Sequence, residues 1–299
     1  MVMYSIKPHP KREVINSILA VLPALTVYFV FSCYPLFLSL IYSFTDWDGI
    51  SKSYNFVGLR NFIALFKDDM VFLSFKNTIH FAVIAAIVGT ILQMIIAIIL
   101  HGKFTGRNVF RAIFYIPAVI STVVMALSWR NILQYVGFVN TFLKNIGLEH
   151  LSKDWLGSTG TAMNSLILIN TLQYLGIGMI IFLAGLNSIP HDVYEASELD
   201  GAVGFKNFLY ITLPLIMPSV TIVSFTAITG ALKFFDLPYL MTNGGPANAT
   251  ISLSMEVYNL LFSNNTFGLG SAVGFVFFIF IAAVSLLQLR VTRSREVEY

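Results

Sequence analysis

Apolar residues run through this chain in long blocks separated by polar loops. A helix needs about 20 mainly apolar residues to cross the hydrocarbon of a bilayer. Six runs reach that length, at roughly 15–42, 79–100, 113–133, 162–186, 215–235 and 272–289. The first carries Pro23 and Pro35, which predicts a tilt or a kink. The third and fifth are predicted to begin near Pro117 and Pro218, because a missing N–H costs least in a first helical turn. The pattern predicts an all-α polytopic membrane protein of six transmembrane helices.

Composition points the same way. Charged residues make up 11% of the 299 and apolar residues 57%, against roughly 25% and 45–50% in soluble domains. A soluble chain could not cover its surface with so few charges, whereas helix faces turned to lipid need none. The net charge of +3 lends no support to nucleic-acid binding. The single cysteine, Cys33, excludes an internal disulfide and reads as a small lipid- or helix-facing residue. The histidines (His9, His80, His101, His150 and His191) are scattered, without partners at ligand spacing, so no metal or other cofactor is expected in this chain. Lys7, Lys11 and Arg12 precede the first apolar stretch as in a signal peptide, but that stretch runs over about 14–44. A cleavable segment is roughly 7–15 residues, so a retained helix is expected.

Orientation follows the positive charges at the helix ends. Lys7, Lys11 and Arg12, then Lys103, Arg107 and Arg111, then Arg290, Arg293 and Arg295 all fall on one side if six helices alternate. That side is expected to be cytoplasmic, with both termini inside. The opposite loops are longer and mixed in charge. One loop on the basic side departs from the pattern, since 187–214 holds Asp192, Glu195, Glu198 and Asp200 against Lys206 alone. Acids weigh little in topology, so the assignment stands and the loop calls for another explanation.

Pro190 suits the first turn of a helix there, and Asp192 complements its dipole. Gly201 is placed for a C-terminal stop, and a second short stretch, 203–211, leads to Leu213-Pro214. Val193, Ala196, Leu199 and Asp200 fall near one face. The prediction is a compact elbow, with Ala196 and Ser197 small enough for another surface to approach closely.

The same loop resembles the EAA loop of binding-protein-dependent ABC importer permeases. That pattern is E-A-A, three residues, G, nine residues, then I-x-L-P, and Glu195, Ala196, Gly201, Ile211, Leu213 and Pro214 match it at that spacing. Ser197 stands where the pattern has its second alanine. Pro190, Tyr194 and Asp200-Gly201-Ala202 also match the family's sugar branch. So do Tyr34-Pro35-Leu36, Tyr42 to Trp47, Phe56-Val-Gly-Leu-Arg-Asn-Phe62 and Met241-Thr-Asn-Gly-Gly-Pro246.

The resemblance implies a type I ABC importer permease of the maltose and multiple-sugar kind, in a bacterial cytoplasmic membrane. Its organisation would be a cytoplasmic tail at 1–14, a first helix and external loop at 15–73, a permease core at 74–290 and a cytoplasmic tail at 291–299. The implied partners are a second, related permease, two cytoplasmic ATPase subunits holding ATP and Mg, and an extracytoplasmic solute-binding protein that delivers a sugar. Residues Tyr194, Glu195, Ala196, Ser197, Asp200, Gly201, Ile211, Leu213 and Pro214 would form a coupling helix and its exit. Glu195 would meet a basic or hydrogen-bonding group of the ATPase, Gly201 would allow the turn, and Pro214 would set the start of the fifth span. Charge alone allows a plainer reading of Glu195, Glu198 and Asp200 as a solvated acidic face.

Intramembrane polar residues are costly and usually face the bundle interior. Asn170, Gln173 and Tyr174 share one helix face, and Thr226, Thr229 and Lys233 share another. The resemblance places a substrate cavity between these regions. The competing reading is structural: Asn and Thr bridge helices, Lys233 snorkels or pairs with Asp236, and Gln93 and His80 are structural. No G-x-x-x-x-G-K-[ST] pattern is present, so ATP hydrolysis is expected in a separate chain, and no catalytic constellation points to an enzyme. An ion-coupled secondary transporter would call for intramembrane carboxylates or inverted repeats, and the six apolar cores show neither. Within the importer class, the alternative solute is a polyol or a glycerol phosphate ester.

Overall fold

The computed structural model describes residues 11–297; Lys7, His9 and the outer part of each tail lie outside the described residues. In chain order the helices are α1 (Lys11–Tyr28), α2 (Tyr34–Tyr42), α3 (Arg60–Leu65), α4 (Asp69–His101), α5 (Arg107–Val119), α6 (Thr122–Leu133) and α7 (Phe138–Asn145). They continue as α8 (Ala162–Ser188), α9 (His191–Leu199), α10 (Phe205–Asn207), α11 (Leu213–Leu215), α12 (Met217–Leu232), α13 (Leu253–Tyr258) and α14 (Phe267–Arg293). Among the described residues the β structure is one isolated bridge between Thr45 and Phe56.

Among the described residues, four helical stretches are long and apolar enough to span a membrane: Leu19–Tyr42, Asp69–His101, Ala162–Ser188 and Phe267–Arg293. Two bent pairs qualify together, Arg107–Val119 with Thr122–Asn145 and Phe205–Leu215 with Met217–Leu232. Counting each bent pair as one span gives six.

The prolines act differently in each span. Pro117 does not open the third span. It sits inside α5, where it removes a backbone donor, and α5 stops two residues later. Ile120 and Ser121 are extended, and the chain leaves at 99°. In the fifth span Pro218 lies in the first turn of α12, as its missing N–H favours, after a bend of 74°. In the first span the helix widens into a π turn at Phe29–Cys33, just before Pro35. The wider turn gives the proline ring room against the preceding carbonyls, so the span continues. Helix already begins at Lys11, inside the stretch expected to be tail.

The chain divides into two compact units. The first holds the residues up to Leu65 together with Leu260–Phe275. Its loop is fastened by Asn61, whose Nδ2 donates to the carbonyls of Ser43 (2.9 Å) and Thr45 (2.7 Å). Tyr42, Trp47, Tyr54 and Phe267 form one aromatic group there. Asp48 accepts from Ser51 and the Ile50 N–H, which hold its carboxyl down at about 2.

The second unit holds Phe66–Asn259 and the end of the chain from Val276. Here α8 is the most deeply buried span, lying against α4, α5 and α12. Glycines set these approaches. A Cβ at Gly178 would collide with Gln93 of α4, one at Gly176 with the α5 backbone, and one at Gly185 with Ser219 of α12. Between membrane helices, where lipid competes with apolar side chains, small residues provide close packing. Two apolar clusters fill the bundle. One surrounds Phe81, Leu166, Ile169 and Phe234, and the other surrounds Leu100, Phe182, Leu186 and Ile216. Asn77 donates to the carbonyls of Asn248 and Ile251, tying the glycine-rich loop to α4.

Candidate functional site

The acidic loop folds as an elbow. Pro190 is the N-cap of α9, one position ahead of the predicted first turn. Gly201 has φ +77°. The Ala202 N–H bonds to the Ser197 carbonyl (2.9 Å) and the Gly201 N–H to that of Glu198 (3.1 Å), which is a Schellman stop. The second stretch starts at Phe205, later than the predicted 203, because Gly204 also takes a positive φ. It runs through a π turn at Phe208–Thr212 into Leu213-Pro214.

Of the residues that share a face of α9 by spacing, Val193 turns to the core and the others do not. Val193 and Tyr194 pack on the cluster around Leu186 and Ile216, and Ser197 is buried. Leu199 is 90% exposed, and Ala196 and Asp200 face outward with it. The reason is a polar latch that the sequence reading missed. Asn207 donates to the Ser197 hydroxyl (2.6 Å) and to the Ala202 carbonyl, and accepts from the Thr212 hydroxyl (3.2 Å). The Ser197 hydroxyl in turn donates to the Tyr194 carbonyl. An alanine at 197 would offer none of this, so the one departure from the EAA pattern is used. Glu195 points outward, and its carboxylate is in hydrogen-bond contact with His191 Nδ1 (2.9 Å) one turn earlier. Ile211, Leu213 and Pro214 are half-buried where the elbow joins α12. Outside stand Leu199, Val203, Phe205 (75% exposed) and Tyr210.

A cavity of about 380 Å³ lies in the bundle between α4, α8 and α12. Asn170, Gln173, Tyr174, Thr226 and Lys233 line it; Thr229 does not, and its hydroxyl turns back to the Phe225 carbonyl instead. Gln93, Thr122, Thr171 and Asp236 line it as well. Lys233 and Asp236 make no ion pair with each other among the described residues.

The amides in the cavity wall are only half satisfied. Gln93 Nε2 donates to the Tyr174 carbonyl (3.1 Å), which fixes the amide so that Oε1 is the free end. Gln173 Nε2 donates to the Thr122 hydroxyl (3.2 Å). Gln93 Oε1, Gln173 Oε1 and Thr171 Oγ1 make no hydrogen bond, although Gln93 is only 6% and Gln173 2% exposed. Such acceptors cost about 1–3 kcal/mol each unless something donates to them. Gln93 was expected to be structural. It both binds α8 and carries one of the unused acceptors.

A family model described as the binding-protein-dependent transport system inner membrane component matches residues 89–297. The chain belongs to that family. This permease is 36% identical over 273 residues to the multiple sugar-binding transport system permease protein MsmF of Streptococcus mutans, across 90% of this chain and 92% of the relative. It is 32% identical to the trehalose/maltose transport system permease protein MalF of Thermococcus litoralis, across 95% and 96%. Its fold matches a solved bacterial ABC transporter involved in the import of the acidic polysaccharide alginate, with a TM-score of 0.81, 21% identity, and coverage of 95% and 96%. A second match is the alginate ABC transporter in complex with an alginate pentasaccharide-bound periplasmic protein, at a TM-score of 0.77 and 23% identity. The permease is therefore an all-α, multi-pass inner-membrane subunit of type I ABC importer fold, a transport component and not itself an enzyme.

Proposed function

We propose that this permease forms half of the translocation pathway for a sugar or oligosaccharide, handed over by an extracytoplasmic binding protein and driven by ATPase subunits acting on the elbow. The carrying observation is the cavity lined by Asn170, Gln173, Tyr174, Thr226 and Lys233, with Gln93 Oε1, Gln173 Oε1 and Thr171 Oγ1 just behind its surface, closed to solvent and without donors. Hydroxyl-rich solutes supply many donors at short spacing, and the Tyr174 ring offers a face for their C–H groups. The relatives named for sugar transport support the same class.

The elbow supports the coupling half of the reading. Its backbone is latched, α9 rests on the core through Val193 and Tyr194, and its outer side leaves Leu199, Val203, Phe205 and Tyr210 uncovered. A rigid lever with an apolar outer side suits docking into a protein groove better than exposure to water. Movement of such a docked lever would pass through Pro214 and the bend at Ile216 into α12, which forms one wall of the cavity. With the elbow on the basic side of the membrane, both termini are cytoplasmic.

Lys233 on the cavity wall favours a second solute, a glycerol phosphate ester, whose charge it would meet. The assembled importer with its binding protein, screened against sugars and phosphate esters for stimulated ATP hydrolysis, decides between them. Stimulation by a neutral sugar supports the first reading. Stimulation by phosphate esters alone replaces it with the second. Uptake that resists vanadate would remove the ATP-driven mechanism altogether.

A further inference from the structure

The turn between α4 and α5 carries positive charge that no acidic group among the described residues pairs with. Lys103, Arg107 and Arg111 lie within nine residues, and the sequence has no carboxylate between Asp69 and Glu149. Among the described residues none of the three forms an ion pair. Arg107 and Arg111 are four apart on α5, so they share a face as like charges, which by itself is unfavourable.

Arg111 is held in place. Its Nη2 donates to the Leu100 carbonyl at the end of α4 (2.7 Å), while its Nε is shut from solvent without any acceptor. The imidazole of His101 sits within the field of both guanidiniums. Gly106, the N-cap of α5, has no side chain to cap the first N–H groups of that helix. Lys103, Arg107, the other N–H groups of Arg111 and the first N–H groups of α5 suit an anion with several acceptor oxygens.

A topology signal alone would account for three cations free in water. It does not account for a half-buried guanidinium fixed on a helix end without a counter-charge, because burying an unpaired charge is costly. The surroundings name the source of the anion. Phe104, Val109, Phe110 and Ile113 beside the cations are exposed apolar side chains, and α4 has just left its apolar span. These side chains begin a membrane span, which places the three cations at the level of the lipid headgroups.

We propose that the α4–α5 turn seats the phosphate headgroup of an anionic phospholipid, between Lys103, Arg107 and Arg111. The seat adjoins the cluster that contains Leu100 and against which Phe114 and, from the elbow, Val193 and Tyr194 pack. A bound headgroup therefore braces the base of the lever.

The test uses the assembled importer and reads lipid binding directly, so it does not depend on the solute or on coupling. Native mass spectrometry and thermal unfolding are run with phosphatidylglycerol and with phosphatidylcholine. Cations near the membrane surface favour anionic lipid over zwitterionic lipid. The expected result is a preference of tenfold or more for phosphatidylglycerol, lost in the Lys103→Gln/Arg107→Gln double variant and reduced in Arg107→Gln alone. The single variant guards against misinsertion of the double one. Equal retention of both lipids by the unaltered importer, or an unchanged preference in both variants, overturns the proposal. Protection by inorganic phosphate or glycerophosphoglycerol equal to that by the lipid assigns the seat to a soluble anion and overturns it too.

Discussion

The cavity and the elbow lie in the same unit and leave opposite kinds of group unpartnered. In the cavity, apolar side chains are well packed and polar oxygens go without donors: Gln93 Oε1, Gln173 Oε1 and Thr171 Oγ1. In the elbow the latch among Ser197, Asn207 and Thr212 is fully engaged, and it is apolar side chains, Leu199, Phe205 and Tyr210, that stand in the open. Each deficit indicates its complement. A cavity lined by amides and hydroxyls calls for a small hydroxyl-rich solute, and a stiff apolar surface calls for another protein. A site for binding and a site for force are thus distinguished by which class of interaction the chain leaves incomplete.

Substitutions that separate the two deficits test this contrast. The largest effect is expected from Gly201→Asp. A side chain at φ +77° strains the Schellman stop, by about 1–2 kcal/mol, and adds charge to the outer side of the elbow. Uptake should fall at least tenfold with normal amounts of permease in the membrane, measured by transport and immunoblotting. Normal uptake would remove the elbow from the mechanism. Next comes Asn207→Ala, which removes the bonds to the Ser197 and Thr212 hydroxyls at about 1–2 kcal/mol. It should lower solute-stimulated ATP hydrolysis several-fold while leaving basal hydrolysis in place.

The cavity variants should behave in the opposite sense. Gln173→Leu removes an unused acceptor together with the bond to the Thr122 hydroxyl, two effects that oppose each other, so thermal stability should change little. The concentration of solute for half-maximal uptake should rise about fivefold to tenfold, the equivalent of one lost hydrogen bond. A Gln173→Leu permease with unaltered affinity would mean that the solute contacts lie on the partner permease.

The smallest effect belongs to neither region. Glu256, on α13, is 5% exposed, and burial pushes its carboxyl above the ordinary range. The nearby Asp68 charge adds to this, and a hydrogen bond with Asn259 works against it. With the folded value raised, the protonated form stabilises below the ordinary carboxylate value, and that stability is lost as pH rises through the folded value. Glu256→Gln should therefore gain in Tm relative to the unaltered permease as pH rises from acid to neutral, read by thermal unfolding across pH.

Much of this architecture was legible in the residues. Spans are fixed by the length of apolar runs, a one-dimensional property, and the loop at 187–214 announced itself by charge and by the spacing of Glu195, Gly201 and Pro214. Gly201 could be read as a stop because a positive φ is a local demand on one residue. The sequence alone also placed Asn170, Gln173 and Tyr174 on one helix face, since helical periodicity needs no tertiary information.

Tertiary structure decided the rest. Pro117 and Pro218 look alike in sequence, yet one lies inside a helix before a 99° break and the other opens a helix after a 74° break. Which face of α9 is buried depended on Asn207, ten residues beyond Ser197, and Thr229 missed the cavity by the angular position of its turn on α12. Gln93 joined the cavity only because Gly178 lets α4 and α8 approach closely. Apolar periodicity records which side chains avoid water. It carries no record of which polar groups, far apart in the chain, are brought within 3 Å of one another or left without a partner.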